Sequence, residues 1–302
     1  MITLKKALTY EEQLERLKNY HHLHVDSDEN AIRILKRVSY YRLSAYGIGL
    51  QEDYNHEIYI DGISLNHLYR LYCFDSIFKN IIFHAIECIE IQFRTQISNC
   101  FSLKYGAEGY MNIDCFDSSD SEYTNKTHAH IIESFKNECN RQKKLPFVKH
   151  HNEKYDGHFP MWVAVELFTF GNLVSLYSIM KYEDQKAISR LYRTTPDHLK
   201  SWLLAMVELR NLCAHYNRVY NMPLKQAPYL FKENSKYRSK GTQKVFPAII
   251  TIKKLLEDIN PSEWNSTYLK FTALFEEYSD VVKLSFIGFP KEWKNVIQPK
   301  SY

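Results

Sequence analysis

Apolar residues recur at steps of three and four along most of this chain, and this spacing places them on one face of an α-helix. The longest such run covers residues 65–101, where Leu68, Leu71, Phe74 and Phe78 begin a series that continues for eight turns of helix. Shorter runs predict helices over residues 10–20 and from about residue 30, after an acidic stretch that supplies N-cap chemistry. The pattern therefore predicts an all-α protein.

The second half of the chain repeats this helical pattern. The predicted helices cover residues 161–170, 172–180, 196 to about 220, 248–259 and 263–278, with Gly171 interrupting the first pair. Residues 286–293 predict a packed extension. Residues 104–160 are the least regular part, and we expect one helix there, over residues 127–139, between mobile loops. Since no repeat or clear linker divides the chain, residues 1–302 form one predicted domain with an irregular insertion near 104–160.

Composition agrees with a helical protein and excludes several classes. The chain has 302 residues, 45% of them hydrophobic and 25% charged, which gives room for a sizeable core. Nine glycines and nine prolines are too few for a chain of many tight β-turns. No apolar run reaches the roughly 18–20 residues of a membrane span, and residues 1–14 lack a signal-peptide apolar stretch. We therefore expect a cytoplasmic protein without a membrane partner.

Cysteine and histidine usage predicts neither a metal nor a cofactor. The six cysteines are widely scattered and form no C-x-x-C pair, so we expect all of them to be reduced thiols. Three histidine groups lack a nearby cysteine or carboxylate array at a known ligand spacing. We expect these histidines to be solvated at the surface: His21-His22-x-His24, His128-x-His130 and His150-His151.

The charge of the chain is concentrated in one segment. The formal net charge is only +4, but residues 221–244, a predicted loop that we call the basic segment, hold six basic residues against one acid, Glu233. The basic residues are Lys225, Lys232, Lys236, Arg238, Lys240 and Lys244. With Tyr229, Phe231 and Tyr237 among them, they have the composition of a single-stranded RNA surface. A solvated, flexible loop explains the same composition equally well.

The pattern R-x-x-x-x-H occurs three times, against roughly half a match expected by chance. We expect Arg16 with His21, and Arg193 with His198, to be ordinary surface residues. Arg210 to His215 lies instead in the middle of a predicted helix. There Asn211, His215 and Arg218 share a side opposite the core stripe of Trp202, Met206, Leu209 and Cys213. Because Leu204 and Val207 make that side partly apolar, we expect a second copy of the chain to cover it.

Four groups of residues follow one another in an order that resembles a known family. The string R-N-L-C-A-H-Y-N-R is preceded by S-Y-Y-R-L-S-A-Y, by F-D-S-I-F with I-E-C-I-E-I-Q-F-R, and by F-P-M-W with F-T-F-G. Over residues 4–293 these strings resemble the Abi family of phage abortive-infection proteins, AbiD/AbiF type, which is grouped with the HEPN superfamily of helical RNases. The resemblance implies a HEPN-like helical bundle with additional N- and C-terminal helices, a homodimer, and metal-independent RNA cleavage.

The same resemblance implies roles for the hexapeptide 210–215. Arg210 and His215 correspond to the active residues of that family, and Asn211 to the polar residue that follows the arginine. RNA carries its own nucleophile, the 2′-hydroxyl, so a histidine that moves protons and an arginine that binds phosphate oxygens suit its cleavage. In a dimer, one His215 would deprotonate the 2′-hydroxyl while the other protonates the leaving 5′-oxygen. The products would carry 2′,3′-cyclic phosphate and 5′-hydroxyl ends.

Residues near the hexapeptide leave alternatives open. Asn211 either orients His215 from one turn earlier or is a bare surface amide, and Arg218 either contacts phosphate or forms a salt bridge. For residues 40–42 we expect a structural role, in which the aromatic rings pack against other parts of the protein. Three charged residues on the long helix predict an internal ion pair with a structural role: Glu87, Glu90 and Arg94.

The resemblance, together with the hexapeptide and its partly apolar surroundings, thus implies a phage-defence endoribonuclease that has RNA as its substrate and a second copy of itself as a partner. A protein or non-coding RNA antitoxin is a further expected partner. Two alternatives stay open. One is a non-catalytic RNA-binding module of the same fold that uses the basic segment, and the other is a toxin whose motif acts on a nucleotide or another target that is not RNA.

Overall fold

The computed structural model describes residues 6–238 and 243–300, and these residues are predominantly helical. The α-helices are α1 (Tyr10–Asn19), α2 (Asp28–Arg37), α3 (Tyr40–Ser44), α4 (Leu65–Tyr105), α5 (Ser121–Arg141), α6 (Pro146–Lys154), α7 (Met161–Ala164), α8 (Phe170–Ile179), α9 (Tyr182–Leu191), α10 (Pro196–Ala214), α11 (Phe246–Glu257), α12 (Pro261–Glu277) and α13 (Trp293–Ile297). A small antiparallel hairpin joins β1 (Gln51–Asp53) to β2 (Ile58–Tyr59). The prediction of an all-α protein is confirmed.

Helix α4 is the axis of the fold. It is 41 residues long, and at 1.5 Å per residue it extends for about 60 Å. The apolar positions that predicted it, among them Leu68, Phe74, Phe78 and Phe93, are completely buried. Helices α10 and α12 pack along it, and α7, α9 and α11 complete the surrounding layer. Among the described residues, no helix combines the length and the apolar composition that a membrane-spanning segment requires.

The C-terminal part of the chain packs onto this axis through aromatic rings. Phe289 and Trp293 contact the ring of Phe275 on α12 at centroid distances of 5.0 and 5.1 Å. Phe275 in turn lies against Phe74 of α4. The predicted packed extension over residues 286–293 is confirmed.

The predicted irregular segment, residues 104–160, is more ordered than its composition indicated. It contains two α-helices, α5 and α6, rather than one. The polar run before α5 supplies the N-cap of this helix, because Asp120 accepts a hydrogen bond from the Tyr123 amide at 3.0 Å. Ile131 and Phe135 then bury one face of α5, which packs against α8.

The break between α7 and α8 also differs from the prediction. It lies at Phe168 and Thr169, and Gly171 is inside α8. Thr169 is the N-cap, because its hydroxyl accepts a hydrogen bond from the Asn172 amide at 3.1 Å. A threonine two residues before a glycine is the stronger start signal, and a glycine in the first turn costs a helix little.

Two of the histidines that were expected at the surface are buried. The imidazole of His128 lies 2.8 Å from the Tyr110 carbonyl oxygen, and it packs on the ring of Phe116. His21 is only 3% exposed and contacts both Arg16 and Glu57. The expectation of solvated surface residues is therefore wrong for these two, because a polar partner satisfies each ring inside the protein.

Candidate functional site

Helix α10, which carries the hexapeptide 210–215, ends earlier than predicted. Thr195 caps its start, and its last helical residue is Ala214, not Tyr220. His215 is the C-cap, with φ −93° and ψ 17°. The prediction that Arg210 to His215 lies in the middle of a helix is therefore wrong. Arg210 lies about one turn before the end of the helix, and His215 lies at the end itself.

The helix ends in a Schellman motif. The Tyr216 amide donates to the Cys213 carbonyl at 3.2 Å, and the Asn217 amide donates to the Leu212 carbonyl at 2.9 Å. This closure places Tyr216 in the left-handed region, with φ +57°. A left-handed conformation costs a side chain other than glycine about 1 kcal/mol. Other contacts must therefore hold the turn in place.

Asp75 of α4 supplies those contacts. Its carboxylate is completely buried and accepts hydrogen bonds from the amides of Val219 at 3.1 Å and Tyr220 at 2.7 Å. In a continuing helix these two amides would donate to the carbonyls of residues 215 and 216. Because Asp75 takes both, the helix cannot continue. The Tyr46 hydroxyl donates to the same carboxylate at 2.8 Å.

Lys79, one turn after Asp75 on α4, completes this buried group. Its ammonium lies 3.3 Å from the Asp75 carboxylate and donates to the Asn217 carbonyl at 3.1 Å. The lysine side chain is also buried. The ion pair thus satisfies amides and a carbonyl of the segment that follows His215. Sequence reasoning missed this pair, although two charges four residues apart inside an apolar helix were a visible signal.

Helix α3 holds the same turn from the other side. Arg42 donates to the Tyr216 carbonyl at 2.8 Å. Arg218 donates to the Ala45 carbonyl, and its guanidinium lies 5.9 Å from the centre of the Tyr46 ring. Two roles were left open for Arg218: across residues 6–238 and 243–300 it forms no salt bridge, and a phosphate contact stays a prediction. The half-buried guanidinium binds a backbone carbonyl instead.

Arg210 lies against helix α4. Its guanidinium is 5.9 Å from the centre of the Phe83 ring, and its Nε is 4.0 Å from a carboxylate oxygen of Glu90. Glu90 also pairs with Arg94, which donates to the Val165 carbonyl. The ion pair that was expected on this helix is therefore present between Glu90 and Arg94. The Arg210 side chain is 38% exposed, so some of the N–H donors of its guanidinium face solvent.

Asn211 and His215 are both exposed at the end of α10. The Asn211 side-chain oxygen accepts a hydrogen bond from Arg210 at 3.3 Å, so its amide orients the arginine rather than the histidine. Across residues 6–238 and 243–300, no side chain forms a hydrogen bond with the His215 imidazole. Both ring nitrogens are thus open to a ligand.

The exposed side of α10 continues away from His215. Lys200, Leu204, Asn211 and His215 are separated by four, seven and four residues, which keeps all four on one side of a helix. We call these four residues the α10 stripe. Of the two apolar residues predicted on this side, Leu204 is 38% exposed, whereas Val207 is partly buried against the core. At 1.5 Å per residue, Leu204 and His215 are about 16 Å apart along the helix axis.

The basic segment folds back onto this side of α10. The Glu208 carboxylate accepts hydrogen bonds from the amides of Lys225 at 2.7 Å and Gln226 at 2.6 Å, and the Ser201 hydroxyl accepts one from the Tyr229 amide at 2.9 Å. This docking forms a cleft of about 600 Å³, which we call the basic cleft. Its lining includes Lys200, Leu204, Lys225, Tyr229 and Arg238.

The basic segment divides into residues that line the basic cleft and residues that do not. The Arg238 guanidinium lies 5.2 Å from the centre of the exposed Tyr229 ring. Lys236 pairs with Glu292 at 3.4 Å and Lys244 with the Asn221 side chain at 3.0 Å, so both lie outside the cleft lining. Lys232 is exposed, and Lys240 lies outside the described residues. Of the predicted stacking rings, Phe231 packs on Trp202 and Tyr237 on Phe246.

Among the described residues, one group of side chains, on α4 and α12, could hold a metal ion. Donor atoms of His84, Cys88 and Glu263 all lie within 4.8 Å of one another. The His84 ring also lies 3.4 Å from the Glu263 carboxylate and 3.6 Å from that of Glu87. These ion pairs satisfy the histidine and the carboxylates without an ion.

Comparison with known proteins gives one match, to a protein family. A family model described as Abi-like protein matches residues 33–221, which is more than half of the chain. Comparisons with curated proteins and with solved structures gave no match. The matched span contains Arg42, Asp75 and the hexapeptide, so the buried support of the turn and the exposed Arg210 and His215 all belong to the family region. The basic segment lies almost entirely beyond it.

Proposed function

Because this chain belongs to the Abi-like protein family, we propose that it is a phage-defence effector that acts by abortive infection as a metal-independent endoribonuclease. The observation that carries the proposal is the end of α10, where Arg210 and His215 are both accessible while buried groups fix the backbone around them. A catalytic site needs a rigid frame and reactive groups that the substrate can reach.

The side chains suit cleavage by the 2′-hydroxyl of RNA. A histidine can accept the 2′-hydroxyl proton or protonate the leaving 5′-oxygen, which contributes typically 10²–10⁴-fold to a rate. The Arg210 fork can bind two phosphate oxygens as charge develops on phosphorus. In this proposal Asn211 positions Arg210, because its side-chain oxygen accepts from that guanidinium.

The basic cleft supplies a path for the RNA strand. Lys200, Lys225 and Arg238 offer three cations to the phosphates, and the exposed Tyr229 ring offers a surface on which a base can stack. The α10 stripe then leads from this cleft to His215. Since successive nucleotides of a stacked strand rise by about 3.4 Å along its axis, the 16 Å between Leu204 and His215 correspond to roughly five nucleotide steps.

A homodimer completes the proposed site. The proposed site has a single histidine, His215, so it can supply one histidine as base and another as acid only if two copies meet. The half-exposed Leu204 on the α10 stripe gives such a contact an apolar element. We expect the protein to be a dimer by light scattering and Leu204→Glu to be a monomer that melts at the same temperature. A monomeric wild-type protein would contradict this part of the proposal.

The function is tested with labelled RNA in the presence of EDTA. We expect the wild-type protein to cleave, and Arg210→Ala and His215→Ala to cleave at least about 100-fold more slowly. Arg33→Ala and His130→Ala remove the same residue types from exposed positions on α2 and α5, and we expect both to cleave like the wild type. Loss of cleavage on chelation, or equal cleavage by all five proteins, would contradict the proposal.

A second candidate function is RNA binding without cleavage. One observation favours it, because the cations of the basic cleft lie along α10 and not beside Arg210 and His215. This candidate predicts salt-sensitive RNA binding that is unchanged in His215→Ala, with intact RNA in every sample. Products with 2′,3′-cyclic phosphate and 5′-hydroxyl ends would exclude it.

A further inference from the structure

A second cleft lies at the N-terminal side of the molecule. Its volume is about 620 Å³, which is within the range of small-molecule sites. Three parts of the chain line it: α1 through Gln13 and Arg16, the start of α3 through Tyr40 and Tyr41, and the hairpin through Glu57. None of the residues of the α10 stripe belongs to its lining. We call it the N-terminal cleft.

A buried histidine fixes the arginine of this cleft. His21 is 3% exposed, and its Nε2 lies 3.4 Å from Nε of Arg16, which can only donate. Nε2 is therefore the acceptor, and the proton at Nδ1 is donated to the Glu57 carbonyl at 3.1 Å. The Glu57 carboxylate lies on this Nδ1 side, 3.7 Å from the ring nitrogen. The imidazole thus separates the carboxylate from the guanidinium.

The guanidinium of Arg16 keeps its charge available. It lies 5.0 Å from the centre of the Tyr20 ring, and no carboxylate in the described ranges of the chain forms an ion pair with it. Lys6 adds a second cation to the lining. An arginine with an oriented Nε and two unpaired terminal nitrogens matches the oxygens of a phosphate.

Aromatic and hydroxyl groups surround these cations. Tyr41 is 89% exposed, which is unusual for a ring of its size and leaves both faces free to stack on a base. The Tyr40 ring lies 5.7 Å from the His21 ring, and burial raises the pKa of its phenol, so the hydroxyl stays protonated. Ser39 and Ser44 add further hydroxyls to the lining.

From this combination we infer that the N-terminal cleft binds a nucleoside monophosphate, with the phosphate on Arg16 and Lys6 and the base on Tyr41. The phosphate belongs either to a free nucleotide or to the 5′ end of an RNA strand, since both present the same chemistry. The site is distinct from the α10 stripe, and it does not depend on RNA cleavage.

Calorimetric titration of the full chain with AMP, GMP, CMP and UMP tests the inference. We expect at least one of them to bind, and the matching nucleoside without phosphate to bind at least about tenfold more weakly. Arg16→Gln should weaken binding by a similar factor. Tyr41→Ala should weaken it about threefold or more, and because this ring is exposed the variant should melt like the wild type.

Two controls separate this site from the proposed catalytic site. Arg33→Gln changes an exposed arginine on the neighbouring helix, and His215→Ala removes the proposed catalytic histidine, and we expect both to bind nucleotide unchanged. With the His215→Ala protein, a 5′-phosphorylated dinucleotide that competes identifies an RNA end as the ligand. Failure to compete identifies a free nucleotide, and either result supports the site.

Three results would overturn the inference. The first is no binding of any of the four nucleotides up to about 5 mM, which corresponds to roughly 3 kcal/mol of binding free energy. The second is equal binding by the wild type and Arg16→Gln. The third is loss of binding in His215→Ala, which would place the nucleotide at the end of α10 instead.

Discussion

The substitution Asp75→Asn should destabilise the turn that supports the proposed active site, although it changes the volume of the side chain very little. The asparagine oxygen can still accept from the amides of Val219 and Tyr220, because the carboxylate now binds both of them through Oδ1. Its NH₂ group, however, would take the place of Oδ2, which now faces the Tyr46 hydroxyl and the Lys79 ammonium, and two donors cannot bond to each other. The buried Lys79 ammonium would also lose its counter-ion.

The expected loss of stability follows from these contacts. Removing one partner of a buried ion pair typically costs about 3–5 kcal/mol, because the remaining charge stays buried. Since the asparagine oxygen keeps the hydrogen bonds from both amides, about 1 kcal/mol each, we expect the loss to lie at the lower end of this range, and Asp75→Asn to lower the free energy of unfolding by about 3 kcal/mol. For a chain of this length that corresponds to a melting temperature lower by roughly 6 °C.

Thermal unfolding followed by circular dichroism measures the effect, with Asp61→Asn as an exposed control that should change stability by less than about 0.5 kcal/mol. Adding Lys79→Met to Asp75→Asn removes the stranded charge, so we expect the double variant to be more stable than Asp75→Asn alone. Hydrogen exchange gives the local readout, since the Val219 and Tyr220 amides should exchange faster in Asp75→Asn. Equal stability of the Asp75→Asn and Asp61→Asn proteins, or unchanged exchange of these amides, would refute the reasoning.

Three further predictions concern the same region. Burial raises the pKa of the Cys213 thiol to about 12, so at pH 8 it is protonated and iodoacetamide should label it only after unfolding, as mass spectrometry will show. Tyr216→Gly should raise the free energy of unfolding by roughly 1 kcal/mol, because glycine adopts the left-handed conformation without strain. In RNA binding measured against salt, Lys225→Ser and Arg238→Gln should each lower the log–log slope by about 1, whereas Lys149→Ser on α6 should not.

The parts of the fold that sequence could predict are those that local patterns determine. Helix α4 was predicted because its apolar residues follow a period of three and four over the whole length that becomes buried. The exposed position of Asn211 and His215 followed from the core stripe of Trp202 and Met206 on the other side of α10. Such features depend on residues that are near one another in the chain.

The end of α10 could not be predicted in this way. Nothing within residues 215–220 stops a helix, since the sequence there contains neither glycine nor proline. The helix ends because Asp75, more than 140 residues earlier, takes the amides of Val219 and Tyr220. Arg42 and Arg218 add bonds across similar separations. Sequence periodicity carries no information about contacts at that range.

The burial of His21 was missed for the same reason. Its partners are Arg16, five residues away, and the carbonyl of Glu57, which only the hairpin between β1 and β2 brings close. Arg16 and His21, whose R-x-x-x-x-H spacing had little value as a motif, are therefore polar residues that line the N-terminal cleft. In contrast, the pair Arg193 and His198 is divided as predicted, because Thr195 and Pro196 start α10 between its members.

The central claim is that the catalytic site forms where two copies of the α10 end meet. It is tested most directly by mixing wild-type protein with an equal amount of His215→Ala, after native mass spectrometry has shown complete subunit exchange. If each cleavage needs the histidines of both copies, only wild-type pairs are active, and the RNA cleavage rate falls to about a quarter of the rate of wild-type protein alone at the same total protein concentration. A rate of about half would mean that each copy cleaves RNA alone, and it would contradict the claim.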